Sequence, residues 1–208
     1  MSSIRFSGYF LQPLSLLVEE WLGEGKLDED ELDNVLEPDA RAVVDHGILL
    51  SEWAPLEVAE SLVALVASQL GGETGLVDWA REIAIDWRDR EPMSDLIQRA
   101  AGLVDAPGFV VSHASAVLLC DADWHYEGGR THFAVSLRGV EAARPELKAL
   151  LGALLARLVD SVPGIDFDVR FSGIDGGALV VFGERAEETS LEFSSESRLH
   201  RAALIAPA

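Results

Sequence analysis

The chain has 208 residues, 49% of them hydrophobic, enough for a sizeable core in one large domain or two small intimate ones. Its 16 Lys and Arg stand against 36 Asp and Glu, a formal net charge of −20, and that field repels phosphate backbones and anionic lipid, which excludes a nucleic-acid or membrane-surface role. No apolar run reaches bilayer length, MSSIRFSGYF has no signal-peptide core, and the one cysteine, Cys120, excludes an intramolecular disulfide, so a soluble cytoplasmic protein is expected.

The first half reads helical. LQPLSLLVEEWLG spaces Leu14, Leu17, Val18 and Trp21 three or four apart and stops at Gly23. DEDELDNVL reads as a short acidic helix, and PDARAVVDHG as a helix opened by Pro and closed by Gly. PLEVAESLVALVASQLGG is apolar nearly all round from Leu62 to Ala67, which predicts the central buried helix. LVDWAREIAIDW places Leu76, Trp79, Ala80, Ile83 and Trp87 on one stripe. PMSDLIQRAAGLV and FVVSHASAVLL are two further helices, although the β-branched residues of the second also suit a strand.

From residue 120 the period changes to two. CDADWHYE and RTHFAVSLRG flank Gly128 and Gly129, which read as a two-residue hairpin turn. That register sets Glu127 opposite Arg130, Tyr126 opposite Thr131 and His125 opposite His132, with Asp123 on the histidine face. Trp124, Tyr126, Phe133, Val135 and Leu137 fall on the other, core-facing side. RPELKALLGALLARLVD is a leucine-striped helix opened by Pro145 and Glu146. IDFDVRFS alternates Ile165, Phe167, Val169 and Phe171 inward, GIDGG is a turn, and ALVVFGE is a strand. The fold class is therefore α+β in one domain, 1–208. A helical half (1–119) packs with an antiparallel ββαββ half (120–185) whose sheet lies against the long helix, and a tail follows (186–208).

The order of FSGYFLQPLSLLVEEWLG, HGILLSEWAPLEVAESLVALVASQLGG, GGRTHFAVSLRG and ELKALLGALLARL resembles an uncharacterised paralogous family abundant in myxobacteria. That family is similar to the 4-vinyl-reductase-like and haem-NO-binding-like domains. Trp53-Ala54-Pro55 before a long apolar helix is the most specific shared feature, and the resemblance spans about residues 5 to 185. It implies a small-molecule-binding or regulatory domain and not a catalyst. Where related domains carry a C-x-x-G-x-x-x-C-x-F stretch, this chain has FSGIDGGALVVFG. No proximal histidine or Tyr-x-Ser-x-Arg element matches, SSESR at 194–198 differing at the Tyr and Ser positions, so no cofactor is expected.

The phosphate-loop, dinucleotide, zinc-protease, C-x-x-C and nucleophile-elbow motifs are all absent. Cys120 closes the run AVLLC and reads as a buried inert thiol. Trp53, Trp79, Trp87, Trp124 and Phe133 are core aromatics or the lining of a pocket between the helical half and the sheet. Asp123, His125 and His132 form the donor set of a 2-His-1-carboxylate metal site if they converge. Asp28, Glu29, Asp30, Glu31 and Asp33 form an acidic run that either solubilises the chain or docks a protein with a basic surface.

These residues support a non-enzymatic regulatory or small-molecule-binding protein of bacterial signalling type, with a small apolar ligand or a protein as partner and room for a homodimer. The alternatives are an acidic immunity protein or adaptor that masks a basic surface, and a metal-dependent enzyme built on the hairpin.

Overall fold

In the computed structural model, which describes residues 4–129, 131–173 and 177–185, helix ends follow local chemistry. Strand β1 (Arg5–Ser7) runs directly into α1 (Gly8–Gly23). Ser7 caps α1 by accepting from Phe10 N at 3.4 Å, and the same buried hydroxyl donates to Leu118 O at 3.2 Å, far along the chain. Asp28 caps α2 (Glu29–Val35) by accepting from Glu31 N at 2.7 Å. Pro38 opens α3 (Pro38–His46), and Gly47 ends it at φ 72°, a left-handed conformation that suits glycine.

Strand β2 (Trp53–Pro55) precedes α4 (Leu56–Gln69), α5 (Glu73–Arg88), α6 (Met93–Ala100) and α7 (Ala106–Leu118). The stretch FVVSHASAVLL is helical up to Leu118, and it packs one apolar face, with Val110, Val111, Ala114 and Leu118 buried. Tertiary burial here outweighs the strand preference of its valines.

Strand β3 (Leu119–Cys120) completes a three-stranded sheet of order β2-β1-β3. The second sheet contains β4 (Asp123–Gly128), β5 (His132–Arg138), β6 (Asp168–Gly173) and β7 (Leu179–Glu184), antiparallel in the order β4-β5-β7-β6. Helix α8 (Pro145–Asp160) joins β5 to β6 and lies across this sheet, giving the ββαββ arrangement expected. The tail 186–208 lies outside the described residues.

The central helix is α8, not α4. Leu147, Leu150, Leu151, Leu154, Leu155 and Leu158 are all buried, and α8 packs on α4, α5 and α7 as well as on β6 and β7. Each buried leucine removes enough apolar surface from water to stabilise by roughly 1.5–3 kcal/mol. Helix α4 buries one broad side only, Val58, Ala59, Leu62, Val63 and Leu65–Ala67. The sheet needs a helix between itself and the helical layer, and α8 is the one tethered to it at both ends. Gly152 permits the approach: a Cβ there would collide with the Phe171 ring on β6. The buried side chains form one continuous core through both halves.

Candidate functional site

The hairpin residues do not converge. The strands pair Trp124 with Leu137, His125 with Ser136, Tyr126 with Val135 and Glu127 with Ala134. The expected register set Glu127 opposite Arg130, so the pairing is displaced by four positions. The turn is wider than Gly128–Gly129, because Gly129 N donates to His132 O at 2.8 Å and closes the loop there. Asp123 lies opposite Arg138, at the far end of the hairpin from His132. His125 is exposed, with Nε2 3.2 Å from Glu127 Oε1 on its own strand. Among the described residues, no group of three His, Cys, Asp or Glu side chains is placed to hold a metal ion.

The aromatic candidates also separate. Trp53 lies just before α4. It sits in β2, paired with Ser7, and is 39% exposed. Trp124 shares the inner face of the sheet with Leu137 but is 49% exposed, because β4 is an edge strand that α8 does not cover. Phe133 is buried edge-on against Phe167, ring centroids 5.2 Å apart, as a core contact. Cys120 is half-buried at the end of β3, not fully buried, with Sγ 3.5 Å from Asp121 Oδ2.

Trp79 and Trp87 do meet in a cavity. It lies within the helical half, between α1 and α5, and not between that half and the sheet. Its volume is about 380 Å³. Helix α1 carries two apolar sides. Phe10, Leu11, Leu14, Val18 and Trp21 enter the core, while Tyr9, Pro13, Leu16 and Leu17 line the groove. Trp79, Ile83 and Trp87 of α5 form the opposite wall. Leu16 and Leu50 are 55% and 52% exposed at this groove. Polar groups complete the lining: Gln12, Glu20, Glu91, and the Asp86–Arg90 pair at 2.9 Å.

Tyr9 is the residue of this groove that the periodicity missed. Its ring packs on Trp87 at 4.8 Å between centroids, tilted by 46°. Its hydroxyl is buried and has no hydrogen-bond partner. A buried unsatisfied hydroxyl costs roughly 1–3 kcal/mol, so its persistence calls for an explanation. Burial pushes the phenol up to about 12, with Arg90 opposing and Asp86 assisting, so it remains a proton donor at any physiological pH. The arrangement suits a largely apolar molecule that offers one acceptor to Tyr9.

Among the described residues, no histidine is placed to hold a haem. His46, His113, His125 and His132 are all exposed. His113, on α7, is occupied locally: Nδ1 lies 2.8 Å from Phe109 O, and the ring stacks on Phe109 with centroids 4.1 Å apart. The α1–α5 groove contains no histidine, cysteine or methionine.

The acidic run is partly consumed by the fold. Asp28 caps α2. Arg41, only 19% exposed in its side chain, lies among Glu29, Asp33 at 3.5 Å and Asp45 at 3.1 Å. Asp30 and Glu31 remain on the exposed face of α2. A separate groove of about 750 Å³ between α3 and α4 continues this character with Glu37, Asp39, Glu57 and Glu60 in its wall.

No helix among the described residues is long and apolar enough to cross a membrane. No family model matches the chain, and no curated protein matches it. Among solved structures it is similar to the Fe(II) unliganded H-NOX protein mutant A71G from K. algicida, with a TM-score of 0.57 and 10% sequence identity over 89% of this chain and 100% of that one. At that identity the likeness is one of architecture, and the chain has an H-NOX-like α+β fold.

Proposed function

We propose that this chain is a non-enzymatic regulatory domain of bacterial signalling type, acting in the cytoplasm. It binds a small, mostly apolar molecule in the groove between α1 and α5. The observation that carries this reading is the buried Tyr9 hydroxyl without a partner, on a residue that lines a cavity of about 380 Å³ walled by Trp79, Ile83 and Trp87. The second apolar side of α1 supplies one wall of that cavity. The H-NOX-like fold and the sequence resemblance to haem-NO-binding-like and 4-vinyl-reductase-like domains both favour small-molecule sensing. The ligand differs from haem, because no described imidazole reaches the interior.

Acetophenone and ethylbenzene test the site, since they share a shape and differ in the acceptor. Calorimetric titration is expected to show the ketone binding about three- to tenfold more tightly, the net worth of one hydrogen bond to a waiting donor. Tyr9→Phe is expected to abolish that preference while keeping the hydrocarbon affinity. Equal affinities in the wild type, or no saturable binding, would refute the site.

The same substitution carries a stability signature. Tyr9→Phe removes an orphaned donor and is expected to melt at or above the wild-type temperature, by about 2–4 °C for each kcal/mol recovered. Its pH dependence has a definite sign. A phenol raised above 10 holds its proton longer in the folded state, so its contribution is full below pH 10 and is lost as pH rises through about 12. Tyr9→Phe is therefore expected to flatten the alkaline limb of the stability profile in that window, as followed by circular dichroism.

A further inference from the structure

Another cavity, of about 730 Å³, lies between α5, α8 and the edge strand β6. Ile85, Ala153, Ala156, Phe167, Val169 and Phe171 give it an apolar lining. Ala153 and Ala156 are small side chains on an otherwise leucine-rich helix, and they leave the floor hollow. Its polar lining is Arg81, Arg157, Arg170, Asp160 and Asp168. In a chain with 16 basic and 36 acidic residues, this lining gathers three guanidiniums, each balanced by the aspartate beside it.

Each arginine is held by one neighbouring aspartate: Arg81 by Asp78 at 2.9 Å, Arg157 by Asp160, and Arg170 by Asp168. These pairs are solvent-accessible, and such pairs contribute little to folding. A guanidinium has five donors, and one carboxylate occupies at most two of them. The pairs therefore orient the arginines without exhausting them. The adjoining strand β6 is paired on one side only, with β7.

We infer that this groove is a binding site for an amphipathic anion: a carboxylate or phosphate head met by Arg157 and Arg170, with an alkyl or aryl body against Ile85, Phe167 and Phe171. The apolar lining excludes a bare inorganic anion as the preferred ligand, and the arginines exclude a neutral hydrocarbon. This site shares no residue with the α1–α5 groove and stands whether or not that groove binds a ligand.

The test is calorimetric titration of the purified chain with decanoate, decanol and inorganic phosphate, and co-sedimentation with phosphatidylglycerol vesicles. Decanoate is expected to bind with unit stoichiometry, at least tenfold more tightly than decanol or phosphate, and to weaken as salt rises. Arg157→Gln and Arg170→Gln are each expected to weaken decanoate about tenfold while leaving decanol and the melting temperature unchanged. Tyr9→Phe is expected to leave decanoate affinity unchanged, which separates this site from the other. Equal binding of decanoate and decanol, unaltered decanoate affinity in both arginine variants, or vesicle binding without decanoate binding would each overturn the proposal.

Discussion

Leu151→Asp is expected to abolish soluble folding of this protein. Leu151 is 1% exposed on α8, the helix that lies between the sheet and α4, α5 and α7. The substitution removes roughly 1.5–3 kcal/mol of apolar burial. It also strands a carboxylate whose desolvation costs several kcal/mol more. Together these reach the range of about 5–15 kcal/mol that a whole domain has in reserve. Phe167→Asp is milder than Leu151→Asp, because Phe167 borders the α5–α8–β6 cavity and its replacement reaches water. Leu151→Met, which keeps the volume, is expected to cost less than about 1.5 kcal/mol. Soluble yield and thermal melts of the three variants check the order. A Leu151→Asp protein that melted like the wild type would place α8 outside the core.

Lys148→Met has the second largest effect expected. Lys148 is 1% exposed, and its ammonium donates to Glu141 O at 2.9 Å and Gly177 O at 3.1 Å. These bonds tie the first turn of α8 to the segment before it and to the start of β7. Bonds from a charged donor contribute roughly 1.5–3 kcal/mol each, and the carbonyls left behind would be unpaired. Removing the ammonium also relieves its own desolvation cost, so the net loss expected is about 2–4 kcal/mol. For a chain of this length that corresponds to a fall in melting temperature of roughly 4–16 °C. Methionine fills similar space, so the loss reports the hydrogen bonds and not a cavity. Urea titration checks it, and an unchanged midpoint would mean that desolvation and hydrogen bonding cancel at this position.

How much of this was legible in the residues depends on the range of the interaction. The alternation through Val169 and Phe171 identified a strand and its inner face without any tertiary information, because a side-chain period of two is a property of the strand alone, although β6 begins at Asp168 and leaves Ile165 and Phe167 before it. The leucine stripe of α8 and the Pro–Gly punctuation of α3 were readable for the same reason. The hairpin is an instructive intermediate. Its register was displaced by four positions, yet Trp124, Tyr126, Phe133, Val135 and Leu137 kept their shared face, since an even shift leaves every side chain on its own side. Only the partners changed, and with them the opposition of His125 and His132.

Residue pattern alone specifies the fold class, the ββαββ order and the apolar face of each long element. Packing chose which apolar helix became central, since α4 and α8 are both apolar enough and only α8 is tied into the sheet at both ends. Packing also made the small sheet, in which Arg5 pairs with both Pro55 and Cys120 across long stretches of chain. The two proposed sites belong to this second class. Tyr9 reads as one more apolar residue of α1 until α5 covers its hydroxyl without giving it a partner. Arg81, Arg157 and Arg170 are scattered surface charges until α5, α8 and β6 meet. Local periodicity fixes which way a side chain faces along its own element, whereas a site is made where elements distant in sequence come together.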